Sequence, residues 1–289
     1  MDIRAILMGL AFAVMWSSAF TSARIIVMDA SPLLALSLRY LISGLIGVGI
    51  ALALGQSWRL TPAQWRATII FGVLQNAVYL GLNFIAMQTI EASLAAIIAS
   101  TMPLLVGFAA WAFLGEKLRP LGIAGLFAGV IGVAIIMGAR LGGQVDLYGL
   151  ILCAVGVVAL TAATLLVRGA TSGGNFLMVV GLQMLVGCVA LSIATALFET
   201  PRIDPSLRLT LAFAYTCLVP GLAATVVWFW LVNRIGATRA ATFHFLNPFF
   251  GVAIAALLLG ETLGPRDILG VAIIAGGILA VQVSRQRRA

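Results

Sequence analysis

Charge is what this sequence has least of. Only 9% of its 289 residues are Asp, Glu, Lys or Arg, against about 25% in a soluble globular domain. All nine acidic residues fall at or outside the ends of the apolar runs, so no carboxylate is available inside them for acid–base work or for a buried organic cation. There is a single histidine, His244. The three cysteines, Cys153, Cys188 and Cys217, lie in apolar runs without metal-ligand spacing and read as small core residues. No HExxH, G-x-S-x-G, paired in-membrane aspartates or P-loop is present, which leaves intramembrane hydrolysis and direct use of ATP without support. No metal, cofactor or catalytic residue is expected.

What is abundant is hydrophobic surface: 62% of residues, with a mean hydropathy of +1.15. Charged residues leave ten gaps of at least 17 residues between them, and a membrane-spanning helix needs about 20 mostly apolar residues. The gaps are continuous rather than short and alternating, so helices and not barrel strands are predicted. The expected fold class is an all-α integral membrane protein with ten transmembrane helices. The second begins near Pro32 and carries Arg39 within it. The longest connections, 55–65 and 199–208, leave no room for a soluble domain. The first span lacks a small-residue cleavage site after a short apolar core and is not expected to be a signal peptide.

The net charge of +8 does not indicate nucleic acid, because of where the cations sit. With the N-terminus inside, inner segments hold eleven Lys and Arg residues and outer segments five, with Arg39 left within a span. The positive-inside rule then places both termini in the cytoplasm. The terminal Arg285, Arg287 and Arg288 read as an anchor to anionic lipid.

The chain repeats itself. Residues 103–118, "PLLVGFAAWAFLGEKL", and 248–263, "PFFGVAIAALLLGETL", share six of sixteen positions at an offset of 145. Residues 92–96 align with 237–241, and Gly125 and Gly132 with Gly270 and Gly277, at the same offset. Two five-helix repeats are expected, 1–140 and 146–289. Five is odd, so the second copy enters the membrane from the opposite side. Inverted repeats are a hallmark of secondary transporters, whose cargo site lies near the midplane. Pro103 and Pro248 fall mid-span, where each proline frees the carbonyl four residues back, at Ala99 and His244. They are candidate hinges or cavity linings, or simple packing kinks.

Candidate binding residues follow from polarity within spans. Gln75, Tyr79 and Asn83 share one helical face, with Asn76 at its edge. They wall a wet cavity or join helices. Trp16 and Ser17, with Ser18, form a second candidate wall, although small serines also permit close helix approach. Trp228, Phe243, His244 and Asn247 complete the set, His244 being either functional or a satisfied packing residue. Arg39 could receive a cargo carboxylate, cap carbonyls or pair with Asp29. Gly122, Gly125, Gly129 and Gly132, with Gly270, Gly276 and Gly277, mark a packing pair or a dimer seam. Glu116 and Glu261 are read as structural, complementing the helix that follows each. Burial favours the neutral form of a histidine, so His244 is a poor proton carrier and no obligatory ion coupling is expected.

These residues resemble a family. "WSSAF" (16–20) is close to a W-G-S-x-F pattern, and "SPLLALSLRYL" (31–41) places a proline seven residues before an arginine. Together with the two P…LGE…L stretches and "WFWLVNRIGATRAA" (228–241), they resemble the drug/metabolite transporter superfamily, EamA type, over essentially the whole chain. Ser17 stands where glycine is usual, as in the YddG-type amino-acid exporters. The resemblance implies a non-enzymatic exporter of small metabolites, most often amino acids, in the cytoplasmic membrane. Its partners would be a small-molecule cargo and the lipid bilayer, acting as monomer or homodimer. Drug-like cations, nucleosides and sugar derivatives are the alternative cargoes, and an intramembrane enzyme or lipid-handling protein the alternative class.

Overall fold

The computed structural model describes residues 2–117, 119–140, 146–167 and 173–286. Leu118 of the repeated motif, and Arg168, Arg287 and Arg288 of the charge count, lie outside the described residues. Among the described residues, ten helices are long and apolar enough to cross a membrane. They are numbered here as spans 1 to 10: Ile3–Asp29, Pro32–Ala53, Pro62–Ala86, Ala92–Leu114, Pro120–Gly138, Leu147–Leu166, Phe176–Phe198, Leu207–Ile235, Ala241–Leu259 and Pro265–Ser284. No sheet occurs among the described residues; a single isolated antiparallel bridge joins Ala30 and Ile203. Large apolar side chains stand outward, with Phe113, Phe198 and Leu257 80%, 80% and 82% exposed. That outer surface suits hydrocarbon and not water.

Two compact units form, one from Met1–Thr21, Thr89–Leu150 and Ala223–Ala289, the other from Ser22–Gln88 and Ile151–Leu222. Each draws on both sequence repeats. Within the first unit span 5 packs on span 10 and span 4 on span 9; within the second, span 2 packs on span 7. Each pair joins a span to its counterpart five positions on.

Glycine sets these contacts. A Cβ added at Gly125 would meet the Gly277 carbonyl at 2.7 Å, and one at Gly132 the Gly270 carbonyl at 2.8 Å. Spans 5 and 10 are therefore in backbone contact along the predicted ridge, which is occupied within the chain. Gly276 has open space around it. In the second unit a Cβ at Gly181 would come within 3.1 Å of the Gly44 carbonyl. Lipid offers helices no hydrophobic incentive to associate, so close packing of small residues supplies it.

The repeated LGE sequence has a local explanation. Gly115 and Gly260 end spans 4 and 9 in the left-handed region, at φ 67° and 68°, where a side chain would be strained. The glutamate that follows was expected to serve the next helix. Glu261 instead accepts the N–H groups of Ala92 and Ser93 at 2.8 and 2.9 Å, at the start of span 4. Glu199 does the same for Leu33 and Leu34 of span 2. In each case two orphan donors of a first turn meet one carboxylate. The helix after the loop at Glu261 has its own cap, Asp267, which accepts the Gly264 N–H at 3.1 Å.

Asp2 accepts the Ala5 N–H at 2.8 Å and pairs with Arg234 at 2.6 Å. The Arg234 hydrogen bond first, then the Ala5 N–H, lower the Asp2 carboxyl to about 2. A depressed carboxylate contributes stability above its unfolded value of about 4 and loses it as pH falls towards about 2. The tie is therefore complete at any physiological pH.

Replacing Gly125 or Gly277 by Leu is expected to cost at least about 1–3 kcal/mol of stability, the usual range for overpacking. Gly276→Ala should stay within about 0.5 kcal/mol of the parent. Thermal unfolding of the detergent-purified protein, followed by monodisperse fraction, measures both. Equal loss in all three variants would refute the backbone contact.

Candidate functional site

The prolines do not kink continuous helices. Span 4 is interrupted at Thr101, and Pro103 sits in the first turn of the helix Met102–Leu114. Span 9 begins as a 3₁₀ segment, Ala241–Leu246, and Pro248 sits in the first turn of Asn247–Leu259. A first-turn N–H has no partner in its own helix, so proline loses nothing there. The His244 carbonyl accepts the Asn247 N–H, and the Ala99 carbonyl also takes a backbone N–H at its helix end. Neither carbonyl expected to be free is without a backbone partner.

In the first unit the break in span 9 brings a set of rings together. Phe12 lies 4.7 Å from Trp228, 5.8 Å from Trp16 and 5.4 Å from His244 between ring centroids. His244 is also 5.2 Å from Trp228 and 6.3 Å from Trp16. Trp16, Trp228 and His244 remain partly exposed while Phe12 is buried. Asn247 Nδ2 and His244 Nδ1 lie 2.9 Å apart, with the amide donating to an unprotonated ring nitrogen. The Asn247 Oδ1 is buried and has no partner. An unmade hydrogen bond on a buried amide is costly, and such groups in native proteins ask for a reason. Ser17 Oγ donates to the Asn247 carbonyl at 3.2 Å, tying span 1 to the break and fixing the amide's position.

Phe243 makes none of these ring contacts, although Trp228 packs against the core it belongs to. Phe243 shares that core with Ala5, Leu231 and Ala240, and its ring occupies the space a side chain at Gly9 would need. Phe12, which sequence reasoning passed over, takes its place among the rings. It stands four residues before Trp16 and so shares its helical face; that spacing was the available signal.

In the second unit the third-span stripe is realised differently. Residues Gly72–Tyr79 form a π-helix, whose wider turn changes which residues share a face. Asn76, Tyr79 and Asn83 are buried, and Gln75 stays partly exposed. Both ends of Asn76 are used: Oδ1 accepts the Tyr40 hydroxyl at 3.2 Å, and Nδ2 donates to the Gln183 carbonyl at 2.9 Å. Asn83 Nδ2 donates to the Tyr79 carbonyl at 2.8 Å, and Oδ1 accepts from Cys153 Sγ at 3.5 Å. Gly156 permits this, since a Cβ there would meet Asn83 Nδ2 at 2.9 Å. These amides join spans 2, 3, 6 and 7. A second π-segment, Val219–Ala223 around Pro220, interrupts span 8. It lies 145 residues after 74–78, so the third span of each repeat carries one.

The family match repeats as the sequence does. The EamA-like transporter family matches residues 3–138 and again 147–282. The chain belongs to the EamA-like transporter family. It is a multi-pass membrane protein and a transporter. Among curated relatives, this EamA chain is 26% identical to the uncharacterized transporter YvbV of Bacillus subtilis (strain 168), over 94% of the chain and 90% of that protein. It is 23% identical to YoaV of the same organism, over 94% of each. It is 30% identical to the aromatic amino acid exporter YddG of Ancylobacter novellus, over 39% of each. A crystal structure of another protein, 22% identical, superposes over 100% of both chains with a TM-score of 0.69, which shows a shared fold.

Asn76→Ala is expected to destabilise the protein by about 1–3 kcal/mol, since it strands the Tyr40 hydroxyl and the Gln183 carbonyl. Gln75→Ala should be near neutral. Chemical or thermal unfolding in detergent compares them; equal effects would show that the π-turn does not set the buried face.

Proposed function

We propose that this EamA protein exports small neutral amino acids, aromatic ones among them, across the cytoplasmic membrane, and that the ring set of the first unit is part of its binding site. The observation that carries the reading is the buried, unpartnered Asn247 Oδ1 beside partly exposed Trp16, Trp228 and His244. An amino-acid ammonium donates to such an oxygen and is attracted to indole faces. An apolar side chain lies against the rings, and few polar contacts fix its orientation. The name of the YddG relative supports this cargo class. The cargo crosses chemically unchanged. Organic cations are the second reading, because the same rings would take a drug-like ammonium.

No carboxylate lies among the rings, and the one titratable side chain there, His244, is engaged by Asn247. The transporter therefore equilibrates its cargo without obligatory proton coupling. In proteoliposomes, wild-type protein should catalyse phenylalanine counterflow, and Asn247→Leu should reduce it at least about tenfold, the loss of roughly one charge-assisted hydrogen bond. His244→Gln should still exchange, and an imposed pH gradient should drive no net accumulation. Unchanged counterflow in Asn247→Leu removes the site. Counterflow of quaternary ammonium compounds without phenylalanine moves the assignment to organic cations. Uphill accumulation abolished by His244→Gln restores proton coupling.

Both termini are proposed to be cytoplasmic, from the excess of Lys and Arg on that side. Cysteines introduced at Lys117 and at Arg266 should then label from opposite faces with a membrane-impermeant maleimide. Labelling from the same face would contradict the inverted arrangement.

A further inference from the structure

Arg39 lies in span 2 with only 6% of its surface exposed. Its Nε has no hydrogen-bond partner. Asp29, the carboxylate open to it in the sequence, is engaged elsewhere. Asp29 accepts the Ser206 hydroxyl at 3.4 Å. Glu199 is engaged by the N–H groups of Leu33 and Leu34. No carboxylate pairs with Arg39 among the described residues. A buried lysine could shed its proton, but a guanidinium cannot. A buried cation left alone is strongly disfavoured. The guanidinium lies 5.2 Å from the centroid of the Tyr40 ring, which orients it without neutralising it.

Two groups stand close to the guanidinium. Gly221 stands in the π-segment of span 8, and a Cβ there would be 3.8 Å from Arg39 Nη2 and 3.3 Å from Ser43 Oγ. Arg39, Ser43 and the bare backbone at Gly221 thus converge. Ser43 Oγ donates to the Cys217 carbonyl at 3.2 Å, which holds the hydroxyl beside the guanidinium. A planar fork of donors matches a carboxylate better than it matches a point anion.

We propose that Arg39, with Ser43 beside it, is a carboxylate-binding site, and that the carboxylate it receives is the cargo's. The assignment to cargo rests on the amino-acid reading above; the carboxylate site itself does not. It explains why an unpaired arginine is kept in a span, and it makes the free carboxylate a requirement for transport.

The test uses phenylacetate, which has a carboxylate and no amine, and its neutral counterpart phenylacetamide. Phenylacetate should raise the thermal midpoint of the full-length protein in detergent by about 2–4 °C, and phenylacetamide should not. Arg39→Met keeps the stem and removes the charge. It should abolish the phenylacetate response and raise the midpoint of the unliganded protein, whereas an arginine with a structural role would lower it on removal. An equal response in wild type and Arg39→Met, or no response in wild type, overturns the site. In proteoliposomes the wild type should prefer phenylalanine over phenylalaninamide, and Arg39→Met should lower that preference about tenfold. Unchanged preference overturns the cargo assignment. A wild type stabilised by phenylacetate that transports no amino acid sinks the amino-acid reading and leaves the carboxylate site standing.

Discussion

Backbone-to-backbone contact between repeat-related helices is the constraint on which the rest of the structure depends. A membrane interior gives apolar side chains no reason to prefer one another over lipid. What distinguishes span 10 from an acyl chain, as seen by span 5, is that Gly125 and Gly132 can reach the Gly277 and Gly270 carbonyls. Gly44 and Gly181 do the same for spans 2 and 7. Because the contacting glycines of spans 5 and 10 come from equivalent places in the two repeats, duplication and packing are one fact there. Each compact unit is built by a span and its own copy. A change to the ridge in one repeat is therefore felt as a misfit by the other.

Once the close pairs are fixed, the polar groups that remain have little freedom. Helix ends inside the protein must find partners, and Glu199 and Glu261 supply them from across their units. The amides of Asn76 and Asn83 close gaps between helices that glycine alone leaves open. Four buried side-chain atoms among the described residues escape this pattern, Asn247 Oδ1 and Arg39 Nε among them. Neither of these two has a neighbour of the right kind. Their isolation is what separates them from the structural polar residues, which look much the same in sequence.

The spans and the glycine ridges were legible because both are local signals, a run of apolar residues and a repeat at fixed offset. The candidate binding residues were legible only in part. Asn247, Trp16, Trp228 and His244 were visible as polar or aromatic residues in apolar surroundings. Phe243 was counted as an aromatic face of the ninth span, yet a large apolar ring belongs by default in the core, where it lies. Gln75 was grouped with Tyr79 and Asn83 on an α-helical period that the π-turn breaks. The partner of Glu261 is 168 residues away at Ser93, and no local pattern encodes such a pairing. Arg39 was recognisable as a charge in a span, but its want of a partner is a property of what surrounds it.

The π-segments have a mechanical meaning. Each is an α-helix with one residue too many, held as a widened turn in the third span of both repeats. Pro220 has no N–H to give and holds the segment of span 8 in place, whereas in span 3 the surplus residue is not fixed to one address. As it passes along a helix, each stretch it crosses turns about the axis by roughly 100° and slides by about 1.5 Å, while every other hydrogen bond is kept. A span can thus exchange the face it shows to its neighbours without unfolding and without bending. The ends of the membrane helix stay where they are, like a screw turned within its thread.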